Sequence, residues 1–567
     1  MKSPIESRLK QIENLKTSEF DLVVIGGGIT GAGIALDAQS RGLKTALVEK
    51  NDLSSGTSSK SSKLVHGGLR YLQQKEVKLV YESLAERQRL LLNASHIVKP
   101  LPFLIPLYGR KGVVNKSFAR LMSVALSAYD ITGGFRIGKL HRRITAEETL
   151  RLLPSLKKEI VAAGMIYYDA RTDDSRLTLT VAKTAANYGA ILLNYAEAVG
   201  FIYDNNSKVR GIKVTAKKPT GSEDETETFE IKAKAVVNAT GVYSDEVRAQ
   251  DEGLHPKSIV AAKGIHIAVD GKKLPCNIAC VIPVRKDKRS IFVIPWGTET
   301  YIGTTDTGYS GDIFDPDCTL EDVDYLIEAV NDSTTANISR SDVLGAWSGL
   351  RPLLKQETHT KTLTSKTADL SRQHKVTKSE SNVITVTGGK LTTYRKMAED
   401  TVDLVCQLNL TKLKCRTRRL ALMGSPVDKK LVRFGMPNLE IKYPDNVDVI
   451  LFDHLFGRYG IVANDLIAAI EKDPKLGKQV VDGLPYLYVE IYYGIYHEWA
   501  LTLDDILSRR TRSVIFDKAS TLKAVPEVAT FMAEHLNWTD SYKQAQIKEF
   551  TTEVERFYSF ENESKTV

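Results

Sequence analysis

Cysteine is scarce in this 567-residue chain, with five residues at positions 276, 280, 318, 406 and 415. Cys276 and Cys280 have a C-x3-C spacing, but no second pair or neighbouring histidine completes a metal set. No metal site is expected, and the thiols read as buried or incidental ones in a reducing compartment. Long apolar runs are missing too: none approaches the ~18–20 residues that a spanning helix needs. The stretch Met1 to Glu19 is charged and has no hydrophobic core of a secretory signal. These absences leave a cytoplasmic protein, or one attached to a membrane from one side. Nor is there a large charge imbalance. Lys and Arg total 78 against 69 Asp and Glu, a net +9. That suits anionic small substrates or an anionic membrane surface and does not single out nucleic acid. Hydrophobic content of 42% and charged content of 26% are ordinary for a globular protein, and the length asks for two or three domains.

What is present begins at Asp21. Asp21 to Ile25 is a short apolar run rich in β-branched residues, the pattern of a buried parallel strand. Gly26, Gly28 and Gly31 follow in the spacing G-x-G-x-x-G. The first permits a tight turn, the second lets backbone approach a pyrophosphate, and the third lets the next helix sit close to the strand. A helical pattern from Ile29 stops near Gly42, and a second strand, Thr45 to Val48, ends on Glu49. That carboxylate lies 23 residues after Gly26, where an acid accepts the hydroxyls of an adenosine ribose. An ordinary strand–helix–strand turn would explain neither the third glycine nor Glu49.

Six serines and one threonine lie between Ser54 and Ser62. By composition this is either a flexible polar loop or a phosphate cradle. Its exit from the second strand of a dinucleotide fold favours the cradle, with Ser58, Ser59, Ser61 and Ser62 as contacts. The run from Gly56 to Leu72, GTSSKSSKLVHGGLRYL, together with GGGITGAG, resembles the FAD-dependent glycerol-3-phosphate dehydrogenases and the related α-glycerophosphate oxidases. The resemblance extends over roughly residues 18–515. It implies that His66, Gly67 and Gly68 lie beside the flavin ring and that Arg70 and Tyr71 face the substrate phosphate. The chemistry of the residue types agrees: paired glycines let backbone press on a planar ring, and arginine presents a fork matched to phosphate oxygens. Taken alone, His66 is more often a structural histidine than a catalytic one.

Further along, residues 97–108 carry three prolines and read as loop or edge strand. Lys111 to Ile131 is either an interfacial helix with a basic entry or a helix buried in a substrate domain. Asp173 and Asp174 precede a helix as caps. Val236 to Gly241, VVNATG, is a buried strand, and the resemblance makes Asn238, Ala239, Thr240 and Gly241 cofactor contacts. Residues 263–310 alternate as an antiparallel sheet. In that sheet His266 points opposite to Ile265 and Ile267, either into a substrate cavity or as a buried structural residue. Arg351, Arg372 and Lys390 each fall in a motif shared with the family. Gly388 and Gly389 open a helix, an anion site, and the resemblance puts Gly388 to Thr392, including Leu391, at the flavin ring. Arg509 and Arg510 are expected to brace a domain interface.

The resulting expectation is an α/β protein. It comprises a Rossmann-like FAD-binding domain of the glutathione-reductase and D-amino-acid-oxidase type (residues 18–95, 165–260 and 345–409), an antiparallel-sheet substrate domain (96–164 and 261–344), a linker (410–425) and a C-terminal helical domain (426–567). The resemblance implies oxidation of sn-glycerol 3-phosphate to dihydroxyacetone phosphate, with electrons passed to the quinone pool at the inner-membrane surface. Arg70, Tyr71, Arg372 and Lys390 would hold the phosphate, Arg351 the reacting oxygen, and His266 or His66 would take the proton. Homodimerisation stays open. The rivals are an oxidase that uses O2, another flavin amine or amino-acid oxidase, and a flavin-binding sensor without turnover. The 37 positions between Arg351 and Gly388 leave no room for the long insertion of many oxidases.

Overall fold

In the six-stranded central sheet, alternate residues of the first strand divide two cores between them. Leu22 and Val24 pack with the helix layer, whereas Val23 and Ile25 pack into a second cluster on the opposite face. A strand buried on both faces needs apolar side chains at every position, which is why Leu22–Ile25 reads as an unbroken run. The computed structural model describes residues 3–69, 71, 76–109, 116–133, 139–218, 225–253, 256–284, 286–287, 289–314, 316–355, 373–425 and 449–560.

The strand order of this sheet is His374–Lys378, Ile384–Gly388, Val236–Asn238, Leu22–Ile25, Thr45–Val48, Ile191–Leu193. The last five run parallel, and His374–Lys378 adds an antiparallel edge. Helix Ile29–Arg41 joins the first two strands in sequence and ends at Gly42 with φ of 100°. Helices Asp174–Asn187 and Tyr394–Leu408 pack against it. Gly33 permits the second contact, since a Cβ there would lie 2.7 Å from the Tyr394 ring. The other face is covered by a four-stranded sheet that includes Val209–Lys217 and Thr226–Ala233, an antiparallel pair in register from Gly211↔Lys232 to Lys217↔Thr226.

A ten-stranded, mostly antiparallel sheet forms the second layer system. It takes in Val161–Arg171 and Val343–Leu354 whole, so strand pairing carries this sheet past the boundaries at 165 and 345 read from the sequence. Residues 97–108 correct the reading more sharply. Lys99–Tyr108 is an internal strand, paired along its length with Val161–Arg171 and over two residues with Ala279–Pro283. Pro100, Pro102 and Pro106 share one parity, so their missing N–H donors all fall on one side of the strand, and only one neighbour is paired briefly enough to tolerate that.

The C-terminal part is helical, with Val449–Tyr459, Ala463–Lys472, Tyr488–His497, Lys518–Leu536 and Asp540–Phe557. Residues 411–425 are strapped to the rest: Thr417 Oγ1 donates to Asp37 at 2.8 Å and Leu422 N to Asn93 O at 2.8 Å.

Candidate active site

The glycine turn is shaped so that only glycine fits. Gly26 has φ of +110° and its added Cβ would stand 2.7 Å from Ala239 O. Gly31 lies under the turn, where a Cβ would meet Gly26 O at 1.9 Å. Helix Ile29–Arg41 starts at Gly28 without a side-chain cap on that residue, and the Ile29 N–H donates to Ser58 Oγ at 2.9 Å. A hydroxyl and a helix N-terminus thus meet where an anion would be favoured. Glu49 sits at one end, accepting from Gly27 N at 2.6 Å and Asn51 N at 2.9 Å. Burial raises its carboxyl above the usual range. At the other end Gly388 and Gly389 have φ of +74° and +85°, and a Cβ on Gly389 would meet Met397 Sδ at 2.4 Å.

These pieces line one cleft. Its walls bring together Gly26, Gly28, Glu49, Ser58, Ala239, Thr240, Gly241, Gly388, Gly389, Lys390 and Leu391. A ribose acid, an anion-binding helix terminus and a second glycine-led terminus, in that order along an elongated cleft, fit an extended dinucleotide. Tyr243, Phe314, Pro352 and Met397 line it as well. Tyr243 adjoins the VVNATG strand, a signal that could have found it, whereas nothing local marks Phe314.

The other serines stand behind the cleft wall. Ser59 borders a neighbouring cavity, and Ser61 gives both N–H and hydroxyl to Asp174 at 2.8 and 2.7 Å. Ser62 Oγ bonds His266 Nε2 at 2.8 Å. His266 is buried and stacked on Trp347, centroids 4.8 Å apart and planes at 6°. Burial, then Lys63 and Arg351, hold its pKa well below the histidine norm, so it is neutral. Arg351 lies on the same sheet face, four residues beyond Trp347, the residue opposite His266. Its Nη2 donates to Thr304 Oγ1 at 3.1 Å and would touch a Cβ on Gly264 at 2.4 Å.

A second group gathers at the helix opened by Gly388-Gly389. Lys390 Nζ lies 3.9 Å from the centroid of the Tyr71 ring and donates to Ser83 Oγ at 3.3 Å. His66 and Thr392 are bonded through the His66 main chain, His66 N to Thr392 Oγ1 at 3.2 Å. Gly67 N donates to Tyr129 OH at 3.0 Å, and a Cβ on Gly68 would strike the Tyr71 ring at 2.3 Å. Ser62 of the first group and His66 of the second are four residues apart in sequence, so their Cα atoms lie within ~14 Å of each other. Arg70 and Arg372 lie outside the described residues.

Asp173 caps helix Asp174–Asn187 by accepting from Arg176 N at 3.1 Å. Asp174 does more than cap: Lys63 Nζ reaches it at 3.1 Å and Arg512 Nη2 at 3.1 Å. Burial and the neighbouring Arg512 push the Lys63 ammonium down to about 8. Arg509 and Arg510 both donate to Asp52, so they brace the loop leaving Glu49.

Residues 21–391 match the family of FAD dependent oxidoreductases, and residues 415–543 match the C-terminal domain of alpha-glycerophosphate oxidase. The chain is 37% identical to an aerobic glycerol-3-phosphate dehydrogenase of Staphylococcus aureus over 96% of its own length and 95% of that protein. The chain belongs to the FAD-dependent oxidoreductase family. The crystal structure of a glycerol-3-phosphate dehydrogenase from Bacillus halodurans complexed with FAD superposes with a TM-score of 0.76 at 32% identity, covering 98% of each chain. An L-alpha-glycerophosphate oxidase from Mycoplasma pneumoniae shares the fold, with a TM-score of 0.54 and 18% identity over 70% of this chain and 97% of that one. The protein is thus an FAD-dependent enzyme of this family, with the family's dinucleotide fold and a helical C-terminal domain. FAD is the group that the glycine cleft fits.

Proposed function

We propose that this chain oxidises sn-glycerol 3-phosphate to dihydroxyacetone phosphate and passes the electrons to a membrane quinone. The observation that carries the reading is Lys390 in the wall of the FAD cleft at its glycine-led end, with its ammonium on the Tyr71 ring, and Arg351 and His266 on one face of the ten-stranded sheet that meets the serine loop at Ser62. The identity to aerobic glycerol-3-phosphate dehydrogenases supports it.

Bound FAD supplies the acceptor for a hydride from C2. Gly26, Gly28, Glu49, Ser58 and Ala239 to Gly241 would hold the dinucleotide, and His66 to Gly68 with Gly388 to Thr392 would border its ring. Lys390 pins the phosphate dianion as a point charge, and Tyr71 donates a hydroxyl bond beside it. By their family motifs alone, Arg70 and Arg372 would bind the same phosphate. Arg351 binds the C2 oxygen and stabilises negative charge as the O–H bond breaks. His266, kept neutral, takes that proton, and its Ser62 bond sets the ring orientation. The hydride and the proton leave together, so the substrate carbon ends as a ketone.

Helix Lys116–Thr132 supports attachment to a membrane surface. Leu126 and Tyr129 are buried, whereas Val124 and Ile131 are 66% and 75% exposed on the same helix. Among the described residues no helix is long and apolar enough to cross a membrane. Docking of this face on the cytoplasmic leaflet would give a quinone access.

Anaerobic mixing of the yellow holoprotein with glycerol 3-phosphate tests the reading. The expected result is bleaching of the flavin band and reoxidation by a menaquinone analogue, with little peroxide on admitting air. No bleaching removes the substrate, and fast stoichiometric peroxide assigns O2 as the acceptor.

A further inference from the structure

Two rings that belong to none of the motifs stand at the Glu49 end of the cleft. The Tyr243 hydroxyl donates to Ile313 O at 3.0 Å. That bond fixes the loop between Thr307–Gly308 and helix Leu320–Ser333, and it lays Phe314 on the Tyr243 ring, centroids 4.7 Å apart and planes at 21°. Lys50, next to the ribose acid, lies 5.1 Å from the Phe314 centroid and pairs with Glu197 at 2.9 Å. Both rings line the cleft together with Glu49, Lys50, Glu197 and Ala198.

Phe314 has one face on Tyr243 yet is 51% exposed. A large apolar ring half open in a cleft wall, with Tyr243 on one face and the Lys50 ammonium as its other ring contact, still offers surface to a flat partner. Its position sharpens the point. A second cavity lies between the loop after Glu49 and helix Asp540–Phe557, and it shares Asn51, Ser55 and Phe314 with the FAD cleft. Phe314 therefore stands in the partition between the two spaces, where the adenosine half of the cofactor would otherwise face an open cavity.

We propose that Phe314, braced by Tyr243, is the aromatic plate that retains the adenosine half of FAD. Every purine offers a π-face, and stacking on an aromatic side chain is a sequence-independent way to hold one. Glu49 sets the ribose at that end, which leaves the base within reach of rings in the same wall. The plate comes from the antiparallel-sheet part of the chain, so cofactor retention is tied to correct seating of that sheet on the dinucleotide domain. The proposal rests on the assignment of the cleft to FAD.

Equilibrium titration of apoprotein with FAD, and release of fluorescent FAD from diluted holoprotein, test it without reference to turnover. Phe314→Ala is expected to raise the FAD dissociation constant by about 10- to 100-fold, the range for losing one base–aromatic stack. Phe314→Trp should hold FAD as the parent does. Phe314→Leu keeps an apolar bulk that preserves the loop but has no flat face, and it should release FAD as Phe314→Ala does. A dissociation constant within twofold of the parent for Phe314→Ala overturns the proposal. So does a Phe314→Leu protein that binds like the tryptophan variant, since bulk alone would then suffice. Parent protein that binds no FAD ends the cleft assignment, and this proposal with it.

Discussion

At the scale of single residues, the choice of His266 as proton acceptor sets a demand on pH. His266 is buried on Trp347 with cationic neighbours, so it stays neutral far below the ordinary histidine range. If it takes the C2 proton, no histidine limb cuts the rate between pH 8 and 6, because the base form is fully populated throughout. The pH profile of kcat/KM is therefore expected to be flat there and to fall only at more acid pH. An acid limb within that window would take the role away from His266. His266→Asn should lower kcat much more than it changes KM, since the proposed phosphate contacts, Lys390 and Tyr71, lie elsewhere. The strand alternation around Ile265 and Ile267 fixed which way this side chain points, but its companions were not legible. Ser62 is 204 positions away, and only the folded sheet brings it to the imidazole. Lys390 and Tyr71 were singled out only through motifs shared with the family, and their contact, 3.9 Å from ammonium to ring centroid, is made across more than 300 positions of sequence.

Secondary elements divide in the same way between local and long-range causes. The first strand, its glycine turn and helix Ile29–Arg41 carry their own periodicity, start and stop, so sequence alone located them. Strand Lys99–Tyr108 contradicted its local signal, because proline tolerance depends on which neighbour lies on which side. The π-helical turn Asp505–Arg510 was visible only as a basic motif, and its partner is an element more than 400 residues earlier. Burial works upward on Asp52, yet Arg510 and Arg509 outweigh it and hold the carboxyl below its usual range. Removing one member of a buried charged set costs far more than an exposed pair would, about 3–5 kcal/mol. Asp52→Ala should therefore lower the urea midpoint of the holoprotein substantially and speed FAD loss, since Asp52 anchors the loop that follows Glu49. A midpoint equal to the parent's would mean that Arg509 and Arg510 are satisfied by Asp504, Asp505 and backbone alone.

For the molecule as a whole, the seam between the dinucleotide domain and the C-terminal helices is built from buried titratable groups. His96 lies beside Gly424 and Gly460, with Nδ1 3.1 Å from Ser425 Oγ, and burial pushes its pKa down to about 3. Arg176 pairs with Glu498, Nη2 to Oε2 at 2.6 Å, and Arg458 bridges Glu490 and Asp173 at 3.0 Å each. Burial works upward on both carboxylates, yet their cationic neighbours bring each to about 2. The signs agree. A histidine whose folded pKa is depressed contributes stability that is complete above ~6.5, its unfolded value, and is lost as pH falls below that. His96 and His266 each add a slope of ~1.4 kcal/mol per pH unit in this window. Asp173 and Glu490 keep their stability above ~4 and lose it below, so they steepen the same acid descent. Thermal midpoints should accordingly fall between pH 7 and 5, before Asp173 and Glu490 protonate. In His96→Gln, which keeps a neutral polar side chain at the seam, that fall should be shallower and the gap to the parent should narrow as pH drops. A parent midpoint that is constant from pH 7 to 5 would show that the two histidines are already charged in the folded protein, and the seam would then have to open to water far more readily than its burial implies.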